Sequence, residues 1–318
     1  MRVFDCLHGW VALPEDLKSL IDTKPLQRLR EVSQAGAPAL VRPRRRGTRL
    51  EHSIGAAVLV GKVGGGTAEQ LVALLHDVGH LPFSHTADYL YQNLDEDLHE
   101  GTTTRAALES GEVAPTITKL GLSPVALHAA IADKPSWLDM IDSIDYTLRD
   151  LFRAGLVGEE VVRRLVSSLE YDGRVIVFRD VGAARMYCRL AVVAGRTLYS
   201  HPPDLYLHSR LAELLGAALE CGVLDEYEFP RMTDREVLAR ISNDGALAPR
   251  LDDMRLMRDS NLRERRDGAT MFSKSRLKMP LVRVSAAEVV PYSELSRDWA
   301  ALESLASAAS NSGVRLLK

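Results

Sequence analysis

The stretch "LLHDVGHLPFSH", from Leu74 to His85, ends an apolar run with a His-Asp pair and then adds two further histidines. The chain has nine histidines in 318 residues, and five of them fall between positions 52 and 99. Imidazole nitrogens together with carboxylate oxygens form a donor set that suits divalent transition metals. This local concentration therefore predicts that the histidines share one chemical role.

The residues just before the His-Asp pair have the pattern of an amphipathic helix. In "TAEQLVALLHDVG", apolar residues recur at three- and four-residue intervals, as expected for a helix with one buried face. Thr67 and Gln70 stand at capping-box spacing, which predicts that Thr67 caps the start of this helix. Gly79 and Pro82 predict that the helix ends close to the histidines, so that their side chains face a cleft.

Helical periodicity continues through most of the first 225 residues, for example in "HSIGAAVLVGKVG" and "WLDMIDSIDYTLRDLFRAG". In "EYDGRVIVF", Asp172 and Gly173 separate two β-prone flanks, which predicts a hairpin. After Phe229 the chain becomes more polar, and "MPLVRV" is strand-like. We therefore predict a mainly α fold, with a helical bundle core over residues 1–225 and a smaller mixed α/β part over residues 226–318.

The composition is that of a globular protein, with 46% hydrophobic residues, 26% charged residues and a net charge of −3. These values exclude bulk disorder and give no general basic surface of the kind that marks nucleic-acid binders. No apolar run approaches the roughly 20 residues of a membrane helix. Three scattered cysteines, and an N-terminus without a signal-peptide pattern, predict reduced thiols in a cytoplasmic protein.

A metal site that uses His76 and Asp77 needs further ligands, because two donors do not hold an ion. His52, at the start of the preceding helix, can be brought alongside them. A carboxylate must also come from later in the chain, and "WLDMIDSIDYTLRD" carries several aspartates. The spacing alone leaves open which of them takes part: Asp139, Asp142, Asp145 and Asp150.

These segments together resemble the HD-domain phosphohydrolase superfamily, and more narrowly its deoxynucleoside triphosphate triphosphohydrolases. The resemblance covers roughly residues 3–225 and includes "TRLEHSIG", "LLHDVGHLPFSH", "LHE" and "DSIDYTLRD". It implies that the helical core is an HD-domain bundle. It also implies a divalent metal (Mn, Fe, Co, Ni, Zn or Mg) held by four ligands: His52, His76, Asp77 and Asp142.

The same resemblance implies catalytic roles for residues around the metal. His80 and His99 would line the cavity and contact phosphate or the attacking water. His85 would donate a proton to the leaving oxygen, which suits a group whose pKa lies near neutrality. Asp77 would orient the water in addition to binding the metal.

A second group of residues resembles the part of the family site that binds a nucleotide. Arg49 corresponds to an arginine that contacts the phosphate nearest the sugar. Gln34 and Asp150 correspond to the pair that holds the 3′-hydroxyl, and Tyr146 and Tyr199 to two tyrosines that pack on the sugar. The resemblance thus implies hydrolysis of a (deoxy)nucleoside triphosphate to nucleoside and tripolyphosphate.

Three positions depart from the family pattern, which has basic residues or histidine where this chain has Ser143, Ala191 and Gly195. In the family these positions contact the outer phosphates or the tail of the substrate. We expect Arg189 or Arg196 to substitute if the triphosphate is still the substrate.

Other functions therefore stay open. The same scaffold serves phosphomonoesterases and phosphodiesterases that act on other phosphorylated small molecules. Some HD proteins are two-iron oxygenases, for which His80 and His99 would help to bind a second metal. A non-catalytic nucleotide or nucleic-acid-binding protein could use the arginines of "RPRRRGTR". The resemblance further implies a homo-oligomer; a membrane partner is not expected and nucleic acid is not favoured.

Overall fold

The computed structural model describes residues 2–91, 98–257, 262–264, 276–309 and 314–316, and gives the backbone alone for 98–100, 262–264, 308–309 and 314–316. The mainly α fold with a small mixed α/β part is confirmed. Within the described residues, no helix is both long and apolar enough to cross a membrane.

The first half of the chain contains a short hairpin followed by helices. Its elements are β1 Arg2–Asp5, β2 Gly9–Ala12, α1 Glu15–Ile21, α2 Lys24–Arg28, α3 Pro38–Val41, α4 Arg49–Lys62, α5 Thr67–Leu75, α6 Thr86–Leu90, α7 Leu98–Leu108, α8 Ala114–Lys119, α9 Pro124–Ala132 and α10 Ser136–Arg153.

The second half adds the longest helix and the remaining strands. Its elements are α11 Glu159–Ser167, β3 Leu169–Tyr171, β4 Ile176–Phe178, α12 Val181–Ala194, α13 Pro202–Glu220, α14 Asp234–Ser242, α15 Ala248–Arg255, β5 Leu262–Glu264, β6 Leu281–Arg283, β7 Val289–Pro291, α16 Tyr292–Leu295, α17 Trp299–Ala309 and β8 Val314–Leu316. A π-helical turn, Gly195–Tyr199, directly follows α12.

The predicted hairpin is confirmed as the antiparallel pair β3–β4, with Tyr171 opposite Ile176. β6 then pairs parallel to β4 and antiparallel to β7, which gives a four-stranded mixed sheet in the order β3-β4-β6-β7. The parallel pairing brings the segment after residue 275 onto the helical core.

Two main hydrophobic clusters fill the interior of the described part of the chain, beside a small third group formed by Leu151, Ala194 and Leu198. The larger is built on α4, α5, α10 and α12, and it also takes in Val282, Tyr292 and Leu302. The smaller combines Phe83 and neighbouring residues with the apolar faces of α13, α14 and α15. Both clusters thus have members on either side of residue 225, and the division into 1–225 and 226–318 stays a prediction.

The start of α5 differs from the expected capping. Thr67 is the first helical residue, and Gly66 is the N-cap, with its backbone N–H donating to the Glu69 carboxylate at 2.9 Å. The reciprocal half of a capping box needs a side-chain oxygen at the cap, which glycine lacks. The predicted role of Thr67 and Gln70 is therefore wrong by one position, although the helix itself is confirmed.

Candidate metal centre

Three helices bring the predicted metal ligands together. His52 lies in the first turn of α4, whose N-cap Thr48 forms a complete capping box with Glu51. His76 caps the C-terminus of α5, and Asp142 lies in the middle of α10. Because α4 packs against both α5 and α10, the side chains from these separate segments meet.

The donor atoms of the four residues converge. Nε2 of His52 lies 3.0 Å from Oδ1 of Asp142 and 3.6 Å from Oδ2 of Asp77. Nε2 of His76 lies 3.3 Å from Oδ1 of Asp77 and 3.7 Å from Oδ1 of Asp142. Atoms bound to one ion at roughly 2.0–2.2 Å are themselves roughly 3–3.5 Å apart. The arrangement therefore fits a divalent transition metal.

Two observations support this fit. Nε2 of His76 is buried and makes no hydrogen bond within the described residues, and a metal ion would give this polar atom a partner. Each histidine also uses its other ring nitrogen to fix its orientation: Nδ1 of His52 lies 2.8 Å from Asp145, and Nδ1 of His76 donates to the Ala73 carbonyl at 2.7 Å. This directs each Nε2 toward the other predicted ligands, as is usual for histidines that bind a metal.

A buried ion network holds Asp145 in place. The Arg149 guanidinium donates two hydrogen bonds to Asp145, at 2.8 and 2.9 Å, and lies 2.8 Å from Asp5 in the N-terminal hairpin. Burial alone would raise the pKa of Asp145, but the Arg149 charge outweighs it and holds the pKa well below its ordinary value. Asp145 is thus an ionised partner for His52.

Gly55 provides the space for this network, and it yields a first prediction. A Cβ at this position would lie 1.7 Å from Nη2 of Arg149 and 2.4 Å from Oδ1 of Asp145. We expect Gly55→Ala to destabilise the fold by about 1–3 kcal/mol, as overpacked interiors do, and to weaken metal binding. Thermal unfolding and metal titration would measure both effects.

The matched control is Gly61→Ala on the same helix. Gly61 is exposed, and its added Cβ would meet only the flexible end of Gln70. Alanine in an exposed helical position gains about 1 kcal/mol over glycine. The two variants should therefore shift the unfolding temperature in opposite directions, and equal shifts would contradict the packing argument.

Electrostatics keep the ligand carboxylates ionised. Burial would raise the pKa of Asp77, but His76, Arg49 and His80 together hold it well below its ordinary value. Asp142 behaves alike: burial would raise its pKa, but its hydrogen bond with His52 and the proximity of the His76 ring outweigh that and hold the pKa well below its ordinary value. Burial lowers the pKa of His52, yet its hydrogen bonds to Asp142 and Asp145 raise it to about 10. Metal binding at Nε2 would therefore release a proton.

Three of the four residues, His76, Asp77 and Asp142, line a cavity of about 450 Å³. Among the predicted site residues, those that line this cavity are Gln34, Arg49, His76, Asp77, His80, His85, Asp142 and Tyr146. His52 is fully buried behind the cavity surface. The His99 side chain lies outside the described part of the structure, so its predicted role stays a prediction.

Arg49 links the metal ligand Asp77 to the loop that carries Ser84 and His85. This guanidinium is 3% exposed and donates to Asp77 at 2.8 Å and to the Ser84 hydroxyl at 2.9 Å. Its remaining nitrogen lies 3.3 Å from Nε2 of His85, whose Nδ1 is 3.2 Å from Asp88. Arg49, Asp77 and His85 are therefore arranged as one connected group along the cavity.

The loop that carries His85 has a strained backbone. Phe83 and Ser84 have φ values of 59° and 48°, in the left-handed region that non-glycine residues rarely adopt. Asp234, the first residue of α14, accepts the Phe83 N–H at 2.6 Å, the Ser33 hydroxyl at 2.6 Å and the Ser33 N–H at 3.0 Å. A carboxylate from the C-terminal part thus supports this conformation from outside the cavity.

Asp234 gives a prediction on pH. Lost hydration raises its pKa from 3.8 to about 6, against the opposing hydrogen bonds from Ser33 and Phe83. Because the folded chain binds this proton more tightly than the unfolded chain, the stabilising contribution is full below pH 3.8 and is lost as the pH rises through about 6. The change amounts to about 3 kcal/mol at most.

The non-titrating variant Asp234→Asn isolates this effect. The free energy of unfolding of the wild type, relative to the variant, should fall between about pH 4 and pH 7. Chemical denaturation at several pH values would measure the difference, and a difference that stays constant or rises with pH would contradict the assignment.

The structure brings together only part of the group that was predicted to contact the sugar: Gln34, Tyr146, Asp150 and Tyr199. Gln34 is 8% exposed, and its Oε1 has no hydrogen-bond partner within the described residues. The rings of Tyr146 and Tyr199 stand edge to face at 5.7 Å, and the Tyr199 hydroxyl reaches the Tyr146 carbonyl at 3.4 Å. Tyr199 and Asp150 are not among the lining residues of the cavity, so Gln34 and Tyr146 are the ones directly available to a ligand.

No charge is supplied to the cavity by the three positions that depart from the family pattern, Ser143, Ala191 and Gly195. Ser143 is fully buried, with its hydroxyl bonded to Tyr146 and Tyr187, and Ala191 is 4% exposed in the larger core cluster. The expectation that Arg189 or Arg196 substitutes is wrong: both are exposed and neither lines the cavity. Arg189 lies on the exposed side of α12, 3.9 Å from Asp298, and Arg196 lies in the π-helical turn that follows α12.

Cations that the sequence argument missed line the cavity instead: Lys134, Arg276 and Lys278. Lys134 lies between α9 and α10, and the other two lie just before β6. The only local signal for the latter pair was the alternation of basic and apolar residues in "RLKMP".

The chain is similar to several known proteins. The uncharacterized protein YdhJ of Bacillus subtilis is 31% identical over 243 residues, which span 75% of this chain and 74% of YdhJ. The metal-dependent phosphohydrolase cns2 of Cordyceps militaris is 28% identical over 69% of this chain and 66% of its own length. No family model matches the chain.

One further match covers a short segment of the chain, and another concerns the fold alone. The deoxynucleoside triphosphate triphosphohydrolase SAMHD1 of Danio rerio is 37% identical over 107 residues, but these span only 29% of this chain and 17% of SAMHD1. The crystal structure of a hypothetical protein from Aquifex aeolicus has a TM-score of 0.69 over 96% of this chain and 93% of its own, at 21% identity. That likeness concerns the fold.

Proposed function

The chain belongs to the HD-domain superfamily of metal-dependent phosphohydrolases, and from that premise we propose that it hydrolyses a (deoxy)nucleoside triphosphate to nucleoside and tripolyphosphate. The observation that carries the proposal is one cavity in which the convergent metal ligands stand beside Arg49, Gln34 and Tyr146. The metal ligands and Arg49 suit phosphate chemistry. Gln34 offers an amide to a sugar, and Tyr146 offers an aromatic ring.

His52, His76, Asp77 and Asp142 would hold the metal, since their donor atoms are the ones that converge. A divalent cation bound there would polarise a phosphoryl oxygen and make a water molecule more acidic. His80 lies 3.2 Å from Asp77 through its Nε2. In our proposal, Asp77 orients the attacking water, and the proton that the water loses passes to the Asp77–His80 pair.

Arg49 and His85 would act on the other side of the reacting phosphate. The planar guanidinium of Arg49 suits phosphate oxygens, and its bond to Asp77 keeps it close to the metal ligands. As water bonds to the α-phosphorus, the bond to the 5′-oxygen breaks, and His85 donates a proton to that oxygen. Asp88, at Nδ1 of His85, supports the ring in the orientation this requires.

A monoesterase or diesterase on another phosphorylated small molecule is the second candidate. It is favoured by one observation, the lack of charge at Ser143, Ala191 and Gly195. A non-catalytic nucleic-acid-binding role has less support, because the arginine loop is partly folded inward: Arg45 is buried, and Arg42 pairs with Asp204 at 2.6 Å.

A product-resolved turnover screen tests the proposal. Purified protein with Mn, Fe, Co, Ni or Mg would receive deoxynucleotides, ribonucleotides and nucleoside monophosphates, with chelator-treated samples as the control. We expect triphosphates to be cleaved and chelation to stop the reaction. Phosphate release from monophosphates with triphosphates untouched would reject the proposed substrate and favour the monoesterase. Salt-dependent nucleic-acid binding without turnover would favour the non-catalytic role.

A further inference from the structure

The cavity holds more positive charge than Arg49 alone provides. Lys134, Arg276 and Lys278 line it as well, at positions that the family resemblance does not account for. Arg276 and Lys278 come from the C-terminal part of the chain, so the cavity is built from both sides of residue 225.

The short segment before β6 explains why these two side chains face the cavity. In "RLKMP", residues 276–280, Leu277 and Met279 pack against the larger core cluster. An extended backbone alternates its side chains between two sides, so Arg276 and Lys278 share the opposite side. Pro280 accepts a hydrogen bond from the Tyr292 N–H at 2.9 Å, and β6 follows directly. The segment is therefore anchored to the mixed sheet.

The charges stand beside the residues that the proposed mechanism uses. Nζ of Lys278 lies 2.8 Å from Asp139, and Nζ of Lys134 lies 3.8 Å from both Asp139 and the metal ligand Asp142. Cζ of Arg276 lies 5.5 Å from the ring centre of Tyr146 and 5.0 Å from that of Tyr199.

Such positions suit the outer phosphates of a nucleotide. A cation over an aromatic face is held in place without losing its charge, and long basic side chains next to a metal provide further contacts for phosphate oxygens. A monoester phosphate between the metal and Arg49 would lie near Lys134, which is 3.8 Å from the metal ligand Asp142, but Arg276 and Lys278 stand beside Tyr146 and Asp139 instead. A polyphosphate would reach them.

We propose that Arg276 and Lys278, with Lys134, form a polyphosphate-binding wall that takes the place of the family's basic residues at Ser143, Ala191 and Gly195. This assignment rests on the proposed function for its biological meaning. It makes the segment before β6 a determinant of substrate specificity: the wall favours nucleoside triphosphates over monophosphates.

Binding of inorganic tripolyphosphate tests the wall without relying on turnover. Calorimetry would compare the wild type with Arg276→Gln and Lys278→Gln, with MnCl₂ in excess so that chelation is equal in every sample. We expect each variant to weaken binding about 10- to 100-fold, as for a lost charged hydrogen bond. Arg189→Gln is the matched control: it removes the same charge outside the cavity and should leave the affinity unchanged.

Kinetics then separate this inference from the proposed function. In the double variant, kcat/KM for a nucleoside triphosphate should fall at least tenfold more than kcat/KM for p-nitrophenyl phosphate. Unchanged tripolyphosphate binding in the variants, or equal losses on both substrates, would overturn the wall. A wild type that binds tripolyphosphate through Arg276 and Lys278, but cleaves no triphosphate, would overturn the proposed function and leave the wall intact.

Discussion

Asp142→Ala is expected to remove both the bound metal and the hydrolytic activity. Oδ1 of Asp142 lies 3.0 Å from Nε2 of His52 and 3.7 Å from Nε2 of His76, so this carboxylate joins ligands that come from different helices. Loss of an outer-shell partner weakens metal sites roughly 10- to 100-fold, and loss of a direct ligand should exceed that. Elemental analysis of the purified variant, together with its kcat, would measure the effect.

The matched control is Asp139→Ala, one turn earlier on α10. Asp139 also lines the cavity, but its carboxylate contacts Lys134 and Lys278 instead of the histidines. This variant should keep its metal. If Asp142→Ala retains metal and activity while Asp139→Ala loses them, the fourth ligand has been assigned to the wrong aspartate.

His85→Gln is expected to have the second largest effect, on the chemical step alone. General-acid catalysis contributes roughly 10²- to 10⁴-fold, so kcat on a nucleotide should fall by that amount. The loss should be small on p-nitrophenyl phosphate, because p-nitrophenolate leaves without needing a proton. Metal content should not change, since His85 contacts Arg49 and Asp88 and is not one of the four predicted metal ligands.

A second cavity histidine serves as the control for this variant. His128 lines the same cavity, but its Nε2 donates to the Gly101 carbonyl at 3.0 Å. His128→Gln should therefore leave kcat close to the wild-type value. Equal losses for His85→Gln on both leaving groups would contradict its role as the proton donor.

The sequence was informative where a site residue belongs to a local motif. His76 and Asp77 follow an apolar helix, and Asp142 lies on the long helix predicted from "WLDMIDSIDYTLRDLFRAG". Helical periodicity predicted those helices, and the family resemblance selected Asp142 from four aspartates. The mainly α fold and the superfamily are confirmed, while the roles of the individual site residues stay predictions.

The remaining features depend on contacts between distant segments, which no local pattern encodes. Arg276 and Lys278 reach the cavity because β6 pairs with β4, about a hundred residues earlier in the chain. Asp234 supports Phe83 through a hydrogen bond across 151 positions. Arg189 was a reasonable substitute by helical spacing, but the direction in which α12 packs turns it to solvent. All three features depend on tertiary packing, which the secondary-structure propensities of single segments do not predict.

The most direct test of the central claim is the fate of a deoxynucleoside triphosphate hydrolysed in oxygen-18 water, followed by ³¹P NMR and mass spectrometry. The account predicts unlabelled deoxynucleoside and intact tripolyphosphate that carries one oxygen-18, because water attacks the α-phosphorus and the 5′-oxygen leaves. Orthophosphate or pyrophosphate as the first product, or label in the nucleoside, would contradict it.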